Sequence, residues 1–377
     1  MSLLTEKKKI FFPNLDGLRF FCFLSVFFFH SFHTEYSSFK ASSIYILVKK
    51  DLFGNGNLGV NFFFVLSGFL ITWLLVEEKL NGKIHIKNFW IRRILRIWPL
   101  YFFCVFFGFV VFPMIKAYFG QASSETADPV YYLTFTNNFD FIRKGLPDAS
   151  VLGVLWSIAI EEQFYFTWPI LLSFLPVKHY IKAFLLIIAC SLVFRTVFPG
   201  EDIREYHTLS CMGDLTIGAL GACLCRGAGF KQCIENMSRS LIVLIYVLFF
   251  IVFFFRDEIF NSFFYLKIFE RSLIACLILM IILEQNFSKN SFYKMSDYKR
   301  ISKLGTISYG LYCLHFIGIL ITITISKKLH LNENLWNVLI LETLSALVIT
   351  ILLSRLSFRY FESPFLRVKE KFSYFTK

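Results

Sequence analysis

Residues 15–33 read "LDGLRFFCFLSVFFFHSFH", a stretch apolar enough to lie in a membrane that nevertheless carries Asp16, Arg19, His30 and His33. What it is depends on its surroundings. The 377-residue chain is 56 % hydrophobic, holds 50 Phe and has only 17 % charged residues, with a mean hydropathy of +0.61. Soluble domains carry about 25 % charged residues, so the composition describes an integral membrane protein. Runs able to cross roughly 30 Å of hydrocarbon, at about 20 residues each, recur along the whole length, which excludes a single anchor on a soluble domain.

Ten spans are expected, near residues 14–33, 58–77, 98–115, 152–175, 183–198, 208–225, 240–255, 267–284, 304–326 and 335–354. Backbone groups in hydrocarbon must be satisfied within the segment, so the expected fold class is all-α, a polytopic helix bundle. With the N-terminus inside, the inner segments hold 25 Lys plus Arg against 11 in the outer loops. Cytoplasmic loops carry the excess of such residues, so both termini are expected in the cytoplasm. One membrane domain is expected over 1–377, with its core at 12–366 and no separate soluble domain. Residues 116–150 form the longest connection, expected to be a lid, an acceptor-binding surface or a short amphipathic element on the bilayer.

The net charge of +13 is spread over cytoplasmic loops rather than gathered on a soluble face, which argues against nucleic acid as a partner and leaves the lipid bilayer. Nine Cys are scattered through apolar segments without metal-ligand or disulfide spacing. The basic "EKKKIFFPN" before the first span is followed by no small-residue cleavage site, so that span is expected to persist. No Walker-type glycine loop, HExxH or GxSxG occurs, and no metal site is expected.

A charge at the bilayer centre costs about 3 kcal/mol or more, so those present tend to face the bundle interior and to serve a function. Arg19 and His30 are eleven residues apart, three helical turns plus roughly 20°, and share a face about 16 Å apart. Asp16 lies one turn before Arg19, at ion-pair spacing. Two readings stay open: a groove along that face in which His30 exchanges protons, or interfacial anchoring by Asp16 and Arg19 with His30 at the helix end. In "LWSIAIEEQFYFTWP" Ser157, Glu161 and Tyr165 recur every four residues as one polar stripe, with Glu162 turned about 100° away. Glu161 is expected either to orient a catalytic His or bound hydroxyl, or to make a structural interhelical bond. Asp214, His315 and Glu342 complete the intramembrane ionisable groups. "FWIRRILRIWPLY" places Arg92, Arg93 and Arg96 before Pro99 on the cytoplasmic side, where guanidinium forks suit phosphate and equally suit ordinary topogenic charge.

Taken together, "LDGLRFFCFLSVFFFH", "GVNFFFVLSGFLIT", "FWIRRILRIWPLYF", "LWSIAIEEQFYFTWP", "ISYGLYCLHF" and "FRYFESPF", in this order over about residues 12 to 366, resemble the membrane-bound acyltransferase family 3. These polytopic, mostly bacterial enzymes transfer acetyl, succinyl or other acyl groups from coenzyme A to surface glycans and lipids. The resemblance implies a bacterial inner-membrane O-acyltransferase with the family's Arg and His signature at Arg19 and His30, its basic pair at Arg93 and Arg96, and its carboxylate at Glu161. Asn61 stands where many relatives carry Asp, and from about residue 176 to 300 only "GDLTIGALGA", with Asp214, matches. Some relatives continue into a C-terminal hydrolase-like domain, which this chain is expected to lack.

On that resemblance acyl-CoA, by default acetyl-CoA, is the co-substrate and no cofactor is bound. Arg93 and Arg96, helped by Arg92, would hold its phosphates, and His30 would serve as general base toward a hydroxyl of a polysaccharide, lipopolysaccharide or lipid-linked glycan, with Arg19 or Glu161 positioning the reacting groups. An acyl-His intermediate is the mechanistic variant. The rival reading is a glycolipid or polysaccharide transporter or flippase, which would use the same polar groove without chemistry and need not bind acyl-CoA. His33 has no role in either.

Overall fold

The computed structural model describes residues 12–372, so the basic N-terminal stretch and the last residues of the tail lie outside the described residues. Within them the protein is all helical, with no strand. Ten helices form the body: α1 (Pro13–Phe29), α2 (Leu58–Leu80), α3 (Ile86–Phe106), α4 (Leu155–Phe174), α5 (Tyr180–Val197), α6 (Thr208–Leu224), α7 (Arg239–Phe260), α8 (Phe264–Phe287), α9 (Ser308–Lys328) and α10 (Thr343–Leu356).

A helix therefore stands at each of the ten expected positions, but only six are long and apolar enough by themselves to cross a membrane, or seven if the pair Glu201–Leu224 and Ala228–Glu235, bent by 100°, is one span. The reason lies in their residues. α1 has only 17 residues. α4 carries the run Glu161, Glu162, Gln163, and α8 carries Lys267, Glu270, Arg271 and Glu284. α6 is short and holds Asp214. The helices that fall short are the ones loaded with polar groups, and those groups point inward: Asp214, Glu270, Arg271 and Glu284 are all buried. Several long apolar helices around such an interior make this a multi-pass membrane protein.

α2 and α6 pack backbone against backbone. Adding a Cβ to Gly68 would bring it within 1.8 Å of the Leu215 carbonyl oxygen, and adding one to Gly218 within 2.0 Å of that of Val65. Without Cβ atoms the two backbones meet directly, a contact lipid-embedded helices favour because no hydrophobic drive separates helix from lipid. The glycines of "VLSGF" and "TIGAL" are thus packing elements.

α3 and α4 are joined through a proline. Pro169 lacks the N–H that would bond the Tyr165 carbonyl one turn back, and Trp90 Nε1 donates to that oxygen instead, at 3.2 Å. Lys79 closes the far end of α4 by donating to the carbonyls of Leu172, Ser173 and Leu175 at 2.6–2.7 Å, a cation satisfying the unpaired last turn. The connection at 116–150 is tied to the helices beneath it. It contains short helices at Pro129–Leu133 and Asn137–Lys144 and is pinned by polar side chains: Gln163 Nε2 donates to the Phe135 carbonyl at 2.8 Å and to Asn138 Oδ1 at 3.0 Å, and Tyr101 donates to the Tyr132 carbonyl at 2.8 Å.

Candidate active site

The N-terminal half of α1 lines a cavity of about 280 Å³ whose walls include Asp16, Arg19, Ser67, Arg92, Arg93, Arg96, Ser157, Glu161, Tyr165 and Tyr312. The stripe read along α4 is real: Ser157, Glu161 and Tyr165 all face this space. Arg19 donates to Asp16 Oδ1 at 2.8 Å, the expected one-turn pair. Glu161 accepts from Ser67 Oγ at 2.5 Å, and Ser67 in turn accepts from the Tyr165 hydroxyl at 3.2 Å. Glu161 therefore belongs to the cavity wall beside Arg19 and is not bonded to either histidine. Ser67 was not singled out in the sequence, because a lone Ser in "VLSGF" resembles any helix-packing residue.

The three arginines divide. Arg92 is already engaged, pairing with Glu78 Oε1 at 2.7 Å and donating to the Phe372 carbonyl at 2.7 Å. Arg93 lies over the rings of Phe89 and Tyr165, at 5.5 and 5.7 Å from their centroids, and its buried Nε has no hydrogen-bond partner. Arg96 makes no hydrogen bond or ion pair among the described residues. Arg93 and Arg96 thus hold donors open toward the cavity, the state a phosphate site requires.

His30 stands at the other end of α1, as its C-cap, and does not line this cavity. The single groove joining Arg19 to His30 is replaced by an axial separation. His30 Nδ1 lies 3.0 Å from His315 Nε2, with the rings side by side, 22° from parallel and their centroids 5.1 Å apart. His315, fully buried on α9, places its Nδ1 2.6 Å from the Tyr312 carbonyl oxygen. The chain leaves α1 through Phe32 at φ 66°, a strained conformation for a bulky residue. It is held by stacking on Phe28 and Phe53 and by Tyr45, whose hydroxyl donates to the Phe32 carbonyl at 2.8 Å. Lys49, in the segment after α1, donates to the carbonyls of Phe29 and Ser31 at 2.6 and 2.9 Å. Burial lowers its ammonium to about 8.

Beyond the histidine pair a second cavity, of about 330 Å³, is lined by His33, Thr34, Glu35, Lys327, Asn332 and Glu342 together with Phe107, Phe112 and Phe316. Phe316 packs against both His30 and His315, with centroids 4.7 and 4.6 Å away. Arg19 lies within α1, His30 caps its end and His33 follows in the segment beyond, while along α9 the order is Tyr312, His315, Phe316. Arg19 and Tyr312 line the first cavity and His33 and Phe316 the second, so His30 and His315 stand between the two.

Two further candidates fall outside both spaces. Glu162 accepts from Trp98 Nε1 at 2.8 Å, facing α3. Asp214 is 0 % exposed and accepts from Arg271 Nη2 at 2.7 Å and Asn61 Nδ2 at 3.0 Å. Asn61 thus supplies a donor here where an Asp would add a second carboxylate.

The acyltransferase-domain family profile matches residues 12–358. The peptidoglycan O-acetyltransferase OatA of Listeria monocytogenes is 29 % identical over 97 % of this chain and 57 % of its own length. The putative peptidoglycan O-acetyltransferase YrhL of Bacillus subtilis is 28 % identical over 93 % of this chain and 54 % of its own. The O-acetyltransferase OatA of Staphylococcus aureus is 26 % identical over 93 % and 57 %. The chain spans somewhat more than half the length of these relatives. No solved structure matches.

Proposed function

The chain belongs to the acyltransferase family whose profile covers residues 12–358, and from that premise we propose that it transfers an acyl group, acetyl by default, from acyl-CoA to a hydroxyl of a cell-surface glycan, with peptidoglycan the first acceptor to test. The observation that carries this reading is the placement of the His30–His315 pair between two cavities. One offers open guanidinium donors on Arg93 and Arg96; the other combines aromatic walls with Lys, Glu, Asn and Thr side chains. The first suits the phosphates of coenzyme A. The second suits a sugar, which needs flat apolar faces and directional polar partners.

In this reading the bacterial inner membrane holds ten spans with both termini in the cytoplasm. The donor cavity opens inward, the acceptor cavity outward. The acceptor hydroxyl gives its proton to His30 as its oxygen bonds to the thioester carbonyl carbon. Collapse of the adduct breaks the C–S bond, and the thiolate takes a proton to leave as coenzyme A. Arg19, with Asp16 holding it, and Glu161 line the path of the donor arm between Arg93 and His30. A transporter without chemistry is not favoured, since the curated relatives are O-acetyltransferases.

The test is the protein in proteoliposomes with acyl-CoA and soluble glycan fragments, read by mass spectrometry of the acceptor. Transfer is expected from the wild type and a fall of about 10²–10⁴-fold from His30→Ala. Normal transfer by His30→Ala, or none by the wild type with any acyl-CoA, refutes the proposal.

A further inference from the structure

The histidine pair settles which nitrogen of His30 is available for chemistry. A carbonyl oxygen only accepts hydrogen bonds, so the 2.6 Å contact between His315 Nδ1 and the Tyr312 carbonyl requires the proton of neutral His315 on Nδ1. Its Nε2 is then a bare acceptor. That atom lies 3.0 Å from His30 Nδ1, which must donate, so the proton of neutral His30 also resides on Nδ1 and its Nε2 carries the free lone pair.

We propose that His315 is the positioning residue for His30: by accepting from Nδ1, with the Tyr312 carbonyl behind it, it locks the tautomer whose Nε2 takes the acceptor proton. This inference rests on the acyl-transfer reading above. When His30 Nε2 takes the proton, the imidazolium keeps its Nδ1–H bonded to His315, now a charge-assisted bond and so a stronger one. The same relay logic lets a buried carboxylate orient the base in hydrolase triads; here a neutral imidazole does it in a setting where a carboxylate would be costly. The two rings lie within 22° of parallel, as an in-plane hydrogen bond between them requires, and Phe316 packs against both.

The titratable groups facing His30 are His315 from α9 and Lys49 and His33 from the segment after α1; Lys49 titrates near pH 8 and remains in every variant. The experiment compares His315→Phe, an aromatic of similar shape with no acceptor, with His315→Gln, whose amide oxygen can accept from Nδ1. Each is reconstituted and assayed for kcat, both KM values and the pH profile. For His315→Phe we expect kcat lower by about 10–100-fold, unchanged KM values, and an acid limb displaced by about one unit to lower pH, because the imidazolium has lost its partner. His315→Gln recovers at least tenfold of that loss with the limb near its original place. Wild-type kcat in His315→Phe overturns the proposal. So does an equal loss in both variants with the acid limb unmoved, which is the signature of a packing role. Should His315→Phe not fold, His315→Leu supplies the acceptor-less arm. The underlying reading fails differently, through His30→Ala retaining activity.

Discussion

Replacing Asp214 by Ala separates a structural carboxylate from a catalytic one. Asp214 is fully buried and bonded to Arg271 at 2.7 Å, so its loss leaves a buried guanidinium short of charge. Breaking such a pair costs about 3–5 kcal/mol. Arg271 keeps Glu205 at 2.9 Å, which puts the cost at the lower end, about 3 kcal/mol. For a chain of this size that is a fall in melting midpoint of roughly 6 °C, since each kcal/mol moves larger proteins by only about 2 °C. Asp214 lines neither cavity beside the histidines, so turnover per folded molecule is expected to stay within about twofold of wild type. The assay is a fluorescence melt in detergent micelles with turnover normalised to the monodisperse fraction. An unchanged midpoint with turnover lost would refute the reasoning and return Asp214 to the reaction.

Arg93→Met and Arg96→Met are each expected to raise the KM for acyl-CoA by about 10–100-fold, the loss of a charged hydrogen bond, whereas Arg92→Met lowers the melting midpoint because it breaks the Glu78 pair; a KM effect confined to Arg92 in steady-state kinetics would reverse that division. Gly218→Val drives side-chain atoms into the Val65 carbonyl and should cost roughly 3 kcal/mol of stability, visible as a lower midpoint with KM unchanged in the folded fraction. Lys49 provides a pH test. Its buried ammonium releases its proton near pH 8 in the folded state and near the ordinary lysine value when unfolded. Between those values the unfolded chain binds more protons, so this group's contribution to stability rises with pH. Melting midpoints measured from pH 7 to 10 should show that rise in wild type and lack it in Lys49→Met.

Much of the site was legible in local pattern. The Asp16 and Arg19 pair, the Ser157, Glu161 and Tyr165 stripe and the Arg93 and Arg96 spacing depend only on helical geometry within one segment, and the structure keeps each of them. Which of the readings open for Glu161 holds was not of that kind: it makes an interhelical bond, to Ser67 on α2. Such choices depend on contacts between helices, and the partner that His30 meets is 285 residues away in the chain.

The sequence by itself determined an all-helical membrane protein with charged groups turned inward and a specific acyltransferase resemblance, because hydropathy, helical period and motif order are properties of residues close together in the chain. Only the tertiary structure decided which polar groups meet. Packing α1 against α9 joins two histidines and sets them between two cavities. Packing α2 against α6 and α8 brings Asn61, Asp214 and Arg271 together as an internal ion-pair cluster. A buried polar group must find a partner wherever the bundle supplies one, and that supply is fixed by how helices pack across the molecule, which no local pattern records.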